Sequence, residues 1–110
     1  RVATASCDCT AKIWSADNGM CLRTLKGHEN ILSSAAFSPD GVLLATASDD
    51  DTAKLWKLES GECLRTFEGH QNGVTAAAFS PDGALLATAS LDDSAKIWSA
   101  ETGQCLHSLH

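Results

Sequence analysis

Two sets of four side chains recur in this 110-residue sequence at identical separations: His28, Thr46, Asp50, Trp56 and His70, Thr88, Asp92, Trp98. Thr4, Asp8 and Trp14 repeat the last three members of the set. Imidazole, hydroxyl and carboxylate are also the parts of a nucleophilic triad, in which a base takes the hydroxyl proton and an acid orients the base. An active site is seldom rebuilt in every copy of a repeat, whereas an internal brace is needed by each. Every unpaired member of a buried polar network costs about 1–3 kcal/mol, so a complete set is worth keeping for stability alone. The recurrence points to structure, and no catalytic residue is assigned. No GxGxxG, P-loop, HExxH or GxSxG pattern occurs, and no enzyme activity is expected.

Metal chemistry has three candidates. Cys7-Asp8-Cys9 puts two thiols two residues apart, which on a strand would face one way. Zinc asks for four ligands, and no second pair stands at a matching spacing. His107 and His110 are three apart, so on a strand they point to opposite faces. Asp49-Asp50-Asp51 and Asp92-Asp93 suggest calcium, but they lack the central glycine and distal glutamate of an EF-hand loop. No metal and no cofactor is expected.

The elements that carry these residues are read from the period. Trp14, Trp56 and Trp98 lie 42 residues apart, as do the copies of Gly27-His28 and of Phe37-Ser38-Pro39-Asp40-Gly41. A period of this length marks an array of stacked units. Within one copy, Leu32 to Phe37 and Leu43 to Ser48 flank a Ser-Pro-Asp-Gly turn. Thr52 to Leu58 alternates apolar Ala53 and Leu55 with Lys54, and Glu59-Ser60-Gly61 turns the chain into Cys63 to Phe67. On that last strand Cys63, Leu64 and Phe67 supply the apolar surface. No helical stripe competes, so the expectation is all-β, four short strands per copy in a meander.

These copies resemble the blades of the WD-repeat β-propeller family. The resemblance rests on His 28 residues before Trp, Ser or Thr ten before it and Asp six before it. The residue after Trp is Ser15, Lys57 or Ser99 rather than the Asp of the family name. The resemblance implies a partial propeller of four-stranded antiparallel blades, with a partial blade at 1–26 and complete blades at 27–68 and 69–110. It implies that indole meets Thr hydroxyl, hydroxyl meets imidazole, and imidazole meets Asp, tying the strands to the entering loop. The first copy lacks its first strand and the last ends before another Gly-His, so the ends read as cuts through a larger propeller or as surfaces completed by other chains.

The net charge of −6, with no cluster of Lys or Arg, argues against nucleic acid or an anionic membrane as partner. No apolar run of membrane-spanning length and no signal sequence is visible. Five cysteines, three of them at one repeat position (Cys21, Cys63, Cys105), suit a reducing, intracellular and cytoplasmic setting. The expected function is a scaffold that binds other proteins or peptides. Positions where the copies differ are the candidates for contact: Cys7, Asp49 and Leu91, each just before the Asp of the recurring set. The alternatives are a self-assembling module and a metal or thiol site at Cys7 and Cys9.

Overall fold

A computed structural model describes residues 1–109 as eleven β-strands in three antiparallel sheets. The first sheet holds β1 (Val2–Ala5), β2 (Thr10–Trp14) and β3 (Cys21–Lys26). The second holds β4 (Leu32–Phe37), β5 (Leu43–Ser48), β6 (Ala53–Lys57) and β7 (Glu62–Phe67) in that order. The third repeats it with β8 (Val74–Phe79), β9 (Leu85–Ser90), β10 (Ala95–Ser99) and β11 (Cys105–Leu109). The architecture is all-β, made of partial-propeller blades. Among the described residues no helix is long and apolar enough to cross a membrane.

Strand periodicity decides which neighbour each side chain meets. On β5, Leu44 packs with Ala11, Ile13 and Leu25 of the first sheet, while Ala45 and Ala47 pack with Val74, Leu86 and Trp98 of the third. On β6, Leu55 joins the second of these clusters and Trp56 the first. The second sheet therefore has two apolar faces and no solvated one, and a fully buried Leu or Phe contributes about 1.5–3 kcal/mol. The alanines suit this geometry. Ala45 and Ala47 are fully buried between closely spaced sheets, where a larger side chain would force them apart.

Polar contacts cross the same seams. The Arg23 guanidinium donates to the Glu59 carbonyl of the next sheet. Arg65 does the same at the Glu101 carbonyl and at Thr102 O, 3.0 Å away. These carbonyls belong to tight turns closed by Gly61 and Gly103, both at positive φ. A Cβ on Gly103 would lie 3.1 Å from Arg65 Nη1, so the glycine also makes room for the guanidinium. At the other end of the strands, β4 is bulged between Leu32 and Ser34. There the Ser33 hydroxyl reaches Val74 O of the third sheet at 2.6 Å.

Two details differ from the sequence expectation. Cys63 and Leu64 are exposed on β7, and only Phe67 is buried, because β7 is the outermost strand and its outward positions meet solvent. Cys7 and Cys9 lie in the turn between β1 and β2, not on a strand. Cys9 has φ 71°, a left-handed conformation that Asp51 and Asp93 adopt in the other copies. All five cysteines are free.

Candidate functional site

Each of the second and third sheets carries a polar chain running inward from a turn. Trp56 Nε1 donates to Thr46 Oγ1 at 2.8 Å, Thr46 Oγ1 lies 2.7 Å from His28 Nε2, and His28 Nδ1 lies 2.8 Å from Asp50 Oδ2. The third sheet repeats this with Trp98, Thr88, His70 and Asp92 at 2.9, 2.7 and 2.9 Å. The tautomer follows from the donors available. Indole N–H only donates, so the Thr46 oxygen accepts it and turns its own proton toward Nε2. Nε2 must then be the acceptor, and Nδ1–H donates to Asp50.

Local sequence explains how the four groups meet. Gly27 precedes His28 because the Trp56 ring passes beneath it, so that a Cβ there would sit 3.0 Å from Cη2. Thr46 and Trp56 lie on neighbouring strands, with Thr46 paired to Lys54 and Leu44 to Trp56. Asp50 is held by the turn itself. It accepts Thr52 N–H at 3.0 Å and Thr52 O–H at 2.5 Å, and Glu29 N–H at 3.0 Å. Thr52 and its equivalent Ser94 complete the network, and the sequence reading did not include them. A hydroxyl two residues after Asp in all three copies (Thr10, Thr52, Ser94) was the available signal.

The first copy carries part of this arrangement. Trp14 donates to Thr4 at 2.9 Å, and Asp8 accepts Thr10 N–H and O–H at 3.1 and 2.5 Å. Those Thr10 bonds draw the Asp8 pKa below the usual carboxylate range. No histidine joins them among the described residues.

The chemistry available here is not that of a nucleophile. Thr46 and Thr88 are sealed from solvent at 0 and 2% exposure, and each hydroxyl is committed to a neighbour on both sides. No buried side-chain polar atom among the described residues is left without a partner. No group of three or more metal-ligating side chains occurs among the described residues. His110, half of the histidine pair considered above, lies outside the described residues.

Burial pushes the His28 pKa down, and the bond to Asp50 offsets this only in part. Burial pushes Asp50 up, but the bonds from Thr52, His28 and the Glu29 N–H outweigh it, and its pKa falls below 3.8. A histidine whose folded pKa is depressed contributes stability that is complete above its unfolded pKa, here 6.5, and is lost as pH falls from there toward the folded value. Asp50 adds a further loss below 3.8. We therefore expect the urea midpoint to decline from pH 6.5 to 5, with a shallower decline in His28→Gln. A midpoint flat over that window would mean that the folded protein accepts the proton freely.

The three turn positions singled out for contact are brought to one edge. Leu91 is 59% exposed and Cys7 is exposed. Asp49 is half-buried, because it lies against Gly73 of the third sheet, where a Cβ would stand 3.1 Å from its Oδ1.

The WD domain, G-beta repeat family matches residues 19–57 and 61–99. The chain belongs to the WD-repeat family. Each matched WD repeat starts near the outermost strand of one sheet and runs through three strands of the next, so the sequence unit straddles two sheets. The chain is 52% identical over 40 residues to the nuclear distribution protein PAC1 of Mycosarcoma maydis, covering 36% of this chain and 9% of that protein. It is 45% identical over 40 residues to the F-box-like/WD repeat-containing protein TBL1X of Mus musculus, covering 36% and 8%. It thus aligns with less than a tenth of the length of these WD-repeat relatives.

Proposed function

We propose that this chain is a protein-interaction scaffold without catalysis, built from blades at 1–26, 27–68 and 69–110. In this reading the His-Thr-Asp-Trp chains brace the second and third blades, and Thr4, Asp8 and Trp14 the first, so that the turns above them hold a fixed shape. The contact edge is formed by Cys7, Asp49 and Leu91. The observation that carries it is the contrast in each turn between a shared frame and a variable tip. The Asp, its hydroxyl partner and the left-handed conformation of the residue between them are shared, while the residue before the Asp changes from Cys to Asp to Leu. Loops that vary on a rigid frame are where recognition sits. Exposed Leu91 beside Asp92 and Asp93 suits a partner segment of apolar and basic character. The name of the mouse relative, an F-box-like/WD repeat-containing protein, joins WD repeats to a second module, which is compatible with an adaptor role.

Panning a phage-displayed random-peptide library on the immobilised chain tests this edge. Enriched peptides should combine Lys or Arg with an aliphatic or aromatic residue, and Leu91→Lys should reduce their binding at least about tenfold, the scale of a small hot spot. Peptides that bind the Leu91→Lys variant undiminished would place recognition elsewhere.

A second reading is favoured by the outward faces of the first and third sheets, where Val2, Leu85 and Leu109 are exposed. Apolar faces of this kind recruit partners, and here the partner is another blade. Sedimentation at micromolar concentration separates association through these faces from a free monomer.

A further inference from the structure

The second and third copies differ at Val42/Ala84, Lys57/Ser99, Leu58/Ala100, Ser60/Thr102 and Glu62/Gln104. All five third-copy residues line one crevice of about 490 Å3, whose opposite wall includes Leu43 of β5. The crevice lies at the end of the strands remote from the turns at 49–51 and 91–93, so it is separate from the contact edge proposed above.

The neighbouring seam displays what the crevice lacks. Leu58, the counterpart of Ala100, is 4% exposed and packs with Ile13 and Leu25 of the first sheet. Its replacement by Ala100 removes the branched end of one packed aliphatic side chain from the equivalent space, and Ala84 stands where the neighbouring copy carries the half-exposed Val42 at the mouth. Leu43 and Leu106 remain as apolar walls. The rim changes in the same direction. Lys57 and Glu62, a cation and an anion, give way to neutral Ser99 and Gln104. A glutamine side chain offers one acceptor and two donors, which matches the needs of a peptide group, whereas a carboxylate only accepts. The volume falls within the range of sites that hold small ligands or short peptide segments.

We propose that this inter-sheet crevice is a second binding site, which takes an extended partner segment carrying two branched aliphatic side chains. One aliphatic group takes the place that Leu58 fills in the neighbouring copy, the second lies over Ala84 at the mouth, where that copy carries Val42, and Gln104 pairs with the segment's backbone.

The test uses the 110-residue chain with 13C-labelled methyl groups and the blocked dipeptide N-acetyl-Leu-Val-amide as probe. Saturable shifts are expected at the Leu43, Leu106, Ala84 and Ala100 methyls. N-acetyl-Ala-Ala-amide should bind at least about tenfold more weakly, since several buried methyl and methylene groups are lost. Ala84→Val/Ala100→Leu, which rebuilds the second-copy seam, should abolish the shifts. Should that variant be overpacked and fail to fold, the surface pair Ser99→Lys/Gln104→Glu should still weaken the dipeptide several-fold. Absence of saturation, equal binding of the two dipeptides, or undiminished binding to either variant would overturn the proposal. Equal affinity for 3-methylbutan-1-ol would overturn the peptide reading, because the backbone would then contribute nothing.

Discussion

Trp56→Ala is expected to lower stability by about 3–5 kcal/mol, the range for removing a buried aromatic. Trp56 is 2% exposed and touches both systems that hold its sheet. Its ring fills the seam with the first sheet beside Leu44 and Leu58, and its N–H anchors the Thr46–His28–Asp50 chain. Stability in stacked units is a sum of unit and interface terms, and this substitution subtracts from both. A domain of this size is worth about 5–15 kcal/mol in total, so the variant should melt early or not fold. Trp56→Phe separates the two contributions. It keeps much of the apolar ring and deletes the donor, so its loss should stay near 1–2 kcal/mol, the scale of one hydrogen bond and a small void. Urea melts of both variants decide the matter, and equal losses would mean that the hydrogen bond, not packing, is the indole's contribution.

His70→Ala should cost about 1–3 kcal/mol, by leaving the buried Thr88 hydroxyl without its acceptor. His70 is 6% exposed and lies within 2.7 Å of Thr88, 2.9 Å of Asp92 and 3.3 Å of the Ser94 hydroxyl. Its removal also frees the loop that enters the third sheet, because Gln71 N–H and the imidazole share Asp92 Oδ2. The expected result is a lower urea midpoint with faster amide exchange around residues 69–74. An unchanged midpoint would show that water takes over the imidazole's bonds at no cost.

The sequence made the strands legible wherever turn chemistry bounded them. Leu32–Phe37 and Leu43–Ser48 stand as read, because Ser-Pro-Asp-Gly fixes the turn between them and Gly-His and Asp-rich turns fix the far ends. It was less informative about exposure. Cys63 and Leu64 look like core residues, yet which strand is outermost depends on sheet order, and apolar residues do occur on edges. The site was legible in part. The spacing of His, Thr, Asp and Trp identifies a recurring set, but the family resemblance was needed to propose which atom meets which. Thr52 and Ser94 were overlooked because Ser and Thr are common in turns for other reasons. The arginine contacts were hidden for a different cause. Arg23 and Arg65 recur, but the third copy holds His107, and their carbonyl partners carry no side-chain signature.

Those arginine contacts govern which peptide bonds a protease finds. Trypsin needs the arginine side chain extended into its specificity pocket and the flanking backbone drawn out as a strand. Arg65 satisfies neither requirement while its guanidinium caps the turn at Glu101 and Thr102 and its backbone is paired to Leu55. Cleavage after Arg65 must wait for the second and third sheets to part and for β7 to peel away. Lys57, exposed at the end of β6, needs only local fraying of its strand end. The order in which the two bonds are cut therefore clocks the opening of the seam against the fraying of a strand. In the regime where reclosing outpaces cutting, the Arg65 rate measures the free energy of that opening directly.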